Sequence, residues 1–167
     1  FRGPELKRMT AEQFVDAVWL LTGTGPAKAD APVDLKSAPA VETPGRPQVR
    51  AALVVADPLM RSLGRPNRER VVTTRGDVLT TLQALDLSNG AILAGQVTRG
   101  AEGYLKRHAE QPPAALAADV YLRALGRRPT PDEEAVAVEI LSANPNSESV
   151  ADLLWVVVML PEFQLIR

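Results

Sequence analysis

The spacing of apolar side chains predicts that the chain is made mainly of helices. Phe14, Val18 and Leu21 recur at intervals of four and three residues, which places them on one helical face. Thr10 opens this stretch with the Thr-x-x-Gln pattern of a capping box, in which side chains satisfy main-chain amides. Gly23 is suited to the left-handed conformation that ends a helix. The sequence therefore predicts a first helix between Thr10 and Gly23.

Two helices are predicted early in the second half of the chain. Leu116, Val120 and Leu125 share one face of a helix that Gly126 would end. Thr130 then combines an N-cap with proline at the next position and glutamate three residues later, which indicates the start of another helix before Asn144-Pro145. The predicted core face of that helix consists of Val136, Ile140 and Leu141.

A last helix is predicted from an N-cap at Ser147 to Leu160. Residues 153–158 are apolar on every side, a pattern typical of a helix buried at the centre of a bundle. The three consecutive valines at 156–158 would also suit a buried strand. The cap and the neighbouring helices favour the helix.

The middle of the chain gives weaker signals. Asp57-Pro58 predicts a short helix closed by Gly64, and residues 71–74 are β-branched and predict an extended segment. Residues 50–55 suit either a strand or the start of a helix. Two further helices are predicted to begin at Asp77 and at Ser88-Asn89. Their apolar positions are Leu79, Leu82 and Leu85 in the first, and Ile92, Leu93, Val97, Ala101, Tyr104 and Leu105 in the second.

Residues 23–48 are predicted to form a loop or linker. Five of the 14 prolines lie here, among few large apolar side chains, and proline both fixes φ and lacks an amide donor. Such a length without regular structure indicates either function or disorder.

The whole pattern predicts a mainly α protein: one domain over residues 1–167, a bundle of about five to seven helices with this long loop and short extended segments. The start at Phe1 predicts that the chain is a fragment of a larger protein.

Charge and composition exclude several classes. The 19 basic and 20 acidic residues give a net charge of −1, which excludes a globally basic nucleic-acid binder. Residues 1–109 hold 15 basic and 11 acidic residues, whereas 110–167 hold 4 and 9, so the two parts differ in sign. The longest apolar run, residues 153–160, is too short to span a membrane.

No catalytic, cofactor or metal residues are predicted. The chain has no cysteine and one histidine, so a thiolate metal site, a thiol nucleophile and covalent haem attachment are excluded. His108 follows two basic residues and is interpreted as a cation near a helix C-terminus. The acidic run Asp132-Glu133-Glu134 is explained by the favourable field of a helix N-terminus.

One dense polar cluster remains, between residues 61 and 75. It contains five arginines and one acidic residue. Guanidinium groups bind carboxylates, sulfates and phosphates through paired donors. The favoured interpretation is salt bridging within the domain; an external anion is second, and nucleic acid is disfavoured because no aromatic side chains interleave the arginines. The candidate anion- or partner-binding residues are Arg61, Arg65, Asn67, Arg68, Arg70 and Arg75.

Several long blocks resemble a known family. Residues 62–75 read SLGRPNRERVVTTR, residues 121–130 read YLRALGRRPT, and residues 159–166 read MLPEFQLI. Together with residues 9–21, 79–85 and 88–90, they are similar to the C-terminal domain of unknown function of planctomycete-type secreted proteins that often carry a cytochrome c domain. The resemblance covers nearly the whole chain apart from the proline-rich segment.

The resemblance implies a context and carries over no catalytic residue. It implies export to the periplasm or cell envelope and attachment to upstream domains of a parent protein. Any haem of the family is expected in another domain. The sequence therefore favours a non-catalytic structural or interaction module whose partners are those upstream domains; the alternative is anionic glycan binding or polysaccharide processing through the Arg-rich loop.

Overall fold

The computed structural model describes residues 5–28, 30, 49–66 and 80–166. These residues form eight α-helices, one 3₁₀ turn and one pair of short strands. The helices are α1 (Ala11–Thr22), α2 (Pro58–Ser62), α3 (Thr81–Asn89), α4 (Ala91–Arg107), α5 (Pro113–Leu125), α6 (Pro131–Leu141), α7 (Ser147–Met159) and α8 (Pro161–Gln164). The 3₁₀ turn is Ala51–Leu53, and strands β1 (Lys7–Arg8) and β2 (Leu165–Ile166) pair antiparallel. The mainly α prediction is confirmed.

Local capping signals set the ends of several helices. Thr10 and Thr130 accept a hydrogen bond from the amide of the N3 residue, whose side chain bonds the cap amide in return. Gly23 and Gly126 end α1 and α5 in the left-handed region, at φ 71° and 70°. These four predictions from short sequence patterns are confirmed because each depends on residues within one helical turn.

The core is centred on α7. This helix packs along α4 and also contacts α5, α6 and α8. Its buried residues lie within about half of the helix circumference, and Trp155, Val156 and Met159 on the other half are partly buried. The Val156-Val157-Val158 run is helical, so the strand alternative is wrong. Partial burial of the apolar side chains on the second half explains why the sequence of α7 lacks the one-sided pattern of a surface helix. The fully buried side chains of α7 and its neighbours include Leu93, Leu116, Leu141, Leu153, Leu154 and Val157.

Several predicted helix boundaries are wrong. Helix α3 begins after an N-cap at Thr80 rather than at Asp77, since Thr80 and Gln83 form their own capping box. Helix α4 follows Gly90 as N-cap, so Ser88-Asn89 ends α3 instead of opening α4. The N-cap of α7 is Asn146 rather than Ser147.

One predicted core residue of α6 points outward. Val136 is 53% exposed, whereas Ala137 and Leu141 are buried and Ile140 is partly buried. Ala137 and Leu141, one turn apart, thus form the buried face of α6, which contacts α5 and α7.

The segment around residue 50 adopts neither predicted alternative. Residues 51–53 form a 3₁₀ turn that Val54 leaves in an extended conformation. Of the predicted proline-rich loop, residues 23–28 and 30 are described, and Val49 donates its amide hydrogen bond to the carbonyl of Pro26. The remainder of that loop and the predicted extended segment at 71–74 lie outside the described residues.

Candidate functional site

The buried guanidinium of Arg65 organises one end of the molecule. Gly64 follows α2 in the left-handed region at φ 89°, and the amide of the next residue, Arg65, donates to the carbonyl of Met60 at 2.9 Å. The Arg65 side chain is only 5% exposed. Its nitrogens donate to the main-chain oxygens of Ala51 (2.8 Å), Val54 (2.8 Å) and Ala52 (3.3 Å).

Two further contacts complete the environment of Arg65. Nη1 lies 2.9 Å from the sulfur of Met60, and Nε lies 3.9 Å from Oε1 of Glu12 on α1. The guanidinium thus connects α1, the 3₁₀ turn and α2 through donors that point in several directions. A buried charge requires this degree of compensation. These contacts of Arg65 are internal, and they lie on residues 51–54, α2 and α1.

The rest of the Arg-rich cluster is placed only in part. Arg61 lies on the exposed surface of α2. Asn67, Arg68, Arg70 and Arg75 lie outside the described residues. Of the two described candidates, therefore, Arg61 is accessible to external anions and Arg65 is hydrogen-bonded inside the domain.

A second arginine, Arg127, clasps two helices. It follows α5 and binds Glu133 in the first turn of α6 through Nη1 (2.7 Å) and Nη2 (2.8 Å). The same guanidinium binds Glu162 of α8 through Nη2 (2.7 Å) and Nε (3.0 Å). The hydrogen bonds from Arg127 lower the pKa of Glu133 to about 2 and also lower the pKa of Glu162. We call these three residues the Arg127 clasp.

The sequence did not predict the Arg127 clasp. The block Arg127–Glu133 is visible as a charged loop beside an N-cap, but Glu162 lies 35 residues from Arg127 along the chain. Only the packing of α8 against α5 brings the second carboxylate to the guanidinium. The acidic run at the start of α6 therefore has a partner besides the helix dipole.

Replacing Arg127 by Gln is expected to lower the midpoint of thermal unfolding by about 2–4 °C around neutral pH. Both carboxyls have a lower pKa in the folded chain than their ordinary 4.5, so their stabilisation is present above that value. It is lost as the pH falls toward the folded value of about 2 for Glu133. Thermal melts of the native chain and the variant should therefore converge in acid.

The matched control for the clasp is Arg128→Gln, which removes the same charge from an exposed neighbour. It should leave the midpoint within about 1 °C of the native value at every pH. A variant of Arg127 that keeps its full difference from the native chain in acid would contradict the assignment of the stabilisation to the two carboxylates.

The single histidine takes part in a third internal network. His108 is the C-cap of α4; its Nε2 lies 3.1 Å from Oδ2 of Asp119, and its Nδ1 lies 2.8 Å from Gln111. Arg123 also donates to Asp119, at 2.8 Å. Burial raises the pKa of Asp119, but the hydrogen bonds from Arg123 and His108 outweigh burial and hold the pKa below its usual value. The predicted position of His108 at a helix C-terminus is confirmed.

The side chain of Tyr104 packs beside this network as a neutral phenol. Its ring stacks on His108 at 6.4 Å between centroids, and its hydroxyl bonds the carbonyl of Leu21 at 3.3 Å. Burial raises the pKa of Tyr104 from its ordinary value of 10 to about 12, so the phenol stays protonated well into the alkaline range. The His108 network thus ties α4 to α5, and Tyr104 ties α4 to α1.

Two findings concern metals and membranes. In the part of the chain that the structure describes, no three histidine or acidic side chains converge closely enough to hold a metal ion. Within the same ranges, no helix is both long enough and apolar enough to cross a bilayer.

Comparison with known proteins identifies a family. The model of a family described as "PSD1: Protein of unknown function (DUF1553)" matches residues 1–141. This match includes α1 to α6, the Arg65 site and the whole Arg-rich cluster. No curated protein and no solved structure matches the chain. Because the family model covers most of the sequence, the chain belongs to the PSD1 (DUF1553) family of proteins of unknown function.

Proposed function

We propose that this chain is a structural or interaction module that docks onto upstream domains of an exported, multidomain parent protein of planctomycete type. In this proposal the module works in the periplasm or cell envelope, and any haem c is held by another domain of the parent. The resemblance of the long sequence blocks supports this context. The packing of α3 supports docking.

The observation that carries the docking proposal is the exposed apolar surface of α3. Leu82 and Leu85 lie one turn apart and are 59% and 56% exposed, whereas Leu87 is the buried residue of this helix. Single exposed leucines are common on protein surfaces, but two neighbours on a lightly packed helix form a small apolar face. We call Leu82 and Leu85 the α3 face.

The described polar networks support a structural role over an anion-binding one. Arg65 donates to three main-chain oxygens and forms an ion pair with Glu12, and the Arg127 clasp and the Asp119 network link helices to one another. Among the described members of the Arg-rich cluster, Arg61 is the one on the surface. Anionic glycan binding would thus depend mainly on cluster residues outside the described ranges.

The test is calorimetric binding of this chain to the separately expressed upstream part of its parent. The variant Leu82→Ser/Leu85→Ser should weaken binding by about tenfold or more, since removing two apolar anchors from an interface lowers affinity strongly. The matched control is Leu122→Ser/Val136→Ser, whose native side chains are 54% and 53% exposed on other helices. The control should bind as the native chain does.

The glycan alternative is tested on the same protein. A thermal-shift screen with sulfated and uronic oligosaccharides at low salt includes the variant Arg61→Ala/Arg68→Ala/Arg70→Ala, which retains the buried Arg65. Salt-sensitive stabilisation that this variant abolishes would favour glycan binding. Absence of binding to the upstream domains, with both proteins folded, would overturn the docking proposal.

A further inference from the structure

A cleft of about 560 Å³ opens between the end of α3, the first half of α4 and the first half of α7. Its apolar lining includes Leu87, Val97, Ala151 and Trp155, of which the first three are buried and Trp155 is partly buried. The small side chain of Ala94 leaves the cleft open to solvent on the α4 side. A volume of this order falls within the range of sites that bind small molecules.

The rim of this cleft is negatively charged. Glu148 and Asp152 lie one turn apart on α7, and both line the cleft and are exposed. Among the residues that the structure describes, no lysine or arginine lines the cleft. Across the described residues, neither carboxylate has an ion-pair or hydrogen-bond partner. The remaining rim is polar and uncharged, with Ser88, Asn89, Thr98 and Ser147.

A hydrogen bond to the main chain fixes the indole of Trp155. Its Nε1 donates to the carbonyl of Leu87 at 3.3 Å, which links α7 to the end of α3. This bond satisfies the polar atom of the ring, so the part of the indole that lines the cleft is π surface and apolar edge. Such a surface attracts both methylene groups and cations.

We propose that this cleft binds a small organic cation, an alkylammonium compound with an apolar stem. The stem would lie over Leu87, Val97 and Trp155, and the ammonium group would lie between the carboxylates of Glu148 and Asp152. The charge of the rim disfavours an anion in the same place, so the ligand class differs from the anionic glycans considered for the Arg-rich loop. The docking of upstream domains through the α3 face is a separate property, and neither proposal depends on the other.

The test compares three linear four-carbon compounds that differ in charge: putrescine, butanediol and succinate. Each is titrated at low salt into the native chain while the backbone amide and indole resonances are followed by NMR. Putrescine should shift the resonances of Trp155 and its cleft neighbours and should bind about tenfold more tightly than butanediol. Equal responses to all three compounds, or no response to putrescine, would overturn the proposal.

Two variants locate the binding. Glu148→Gln/Asp152→Asn should weaken putrescine binding about tenfold, and Ala94→Leu should abolish it by filling the cleft while leaving both carboxylates in place. The control Asp132→Asn/Glu134→Gln removes two charges from the first turn of α6 and should bind as the native chain does. Thermal melts check that each variant is folded. Unchanged binding by a folded Glu148/Asp152 variant would contradict the proposal, and tighter binding of a lysine peptide than of putrescine would assign the cleft to a protein partner instead.

Discussion

Replacing Arg65 by Ala is expected to lower the free energy of unfolding by about 3–5 kcal/mol. The substitution removes hydrogen bonds from the carbonyls of Ala51, Ala52 and Val54 and takes the buried partner away from Glu12. It also leaves a cavity where the aliphatic stem packed. Urea unfolding followed by circular dichroism measures the change. Because total stabilities of domains are about 5–15 kcal/mol, a loss of this size is a large share of the stability of a domain at the lower end of that range.

The matched control is Arg61→Ala, four residues earlier on the exposed surface of α2. It removes the same charge and should change stability by less than about 0.5 kcal/mol. Arg65→Lys adds a second test, since one ammonium group cannot reach carbonyls that the planar guanidinium contacts from separate nitrogens. Lysine should therefore recover only a small part of the loss. Equal effects of Arg61→Ala and Arg65→Ala would contradict the structural role of Arg65.

The contrast between these two arginines shows what a local pattern predicts and what it leaves open. Both belong to the same charged stretch and have the same chemistry. The carbonyls that distinguish Arg65 belong to residues 51–54, which lie 11 to 14 residues earlier in the chain. Only the left-handed turn at Gly64 and the packing of α2 bring them together. The sequence favoured salt bridging within the domain for this cluster, but it could not identify main-chain carbonyls as the acceptors.

Helix ends were likewise predictable where the signal lies within a short stretch of sequence. Thr10, Gly23, Gly126 and Thr130 were predicted because each signal acts within one turn. The start of α3 was misplaced because Asp77 and Thr80 offer competing caps, and the capping box formed by Thr80 and Gln83 prevails. Core faces were less predictable than caps, since the burial of Ala137 in place of Val136 depends on how α6 packs against α5 and α7 and not on a signal within one turn.

Close approach of α1 and α4 leaves no room for a side chain at Gly100 on α4. A Cβ atom at this position would lie 2.7 Å from Cβ and 2.9 Å from Cγ2 of Thr22, and 3.0 Å from its Cα. Thr22 is buried at the end of α1, where its hydroxyl bonds the carbonyl of Val18 at 2.7 Å. Neither the threonine backbone nor its Cβ can move away without displacing α1. Gly100→Ala should therefore destabilise the chain by about 1–3 kcal/mol through overpacking.

The sign of this effect separates close helix packing from helix propensity. Alanine is favoured over glycine inside a helix by up to about 1 kcal/mol, so propensity alone predicts that Gly100→Ala stabilises α4. Gly103, on the same helix, provides the control, because a Cβ there would meet only the end of the Arg107 side chain at 3.5 Å. Gly103→Ala should thus stabilise the chain in urea unfolding, while Gly100→Ala does the opposite. Adding Thr22→Ser should recover part of the loss, since it removes Cγ2 and keeps the hydroxyl. Stabilisation by both alanines would mean that α1 and α4 are farther apart in solution than a glycine contact requires.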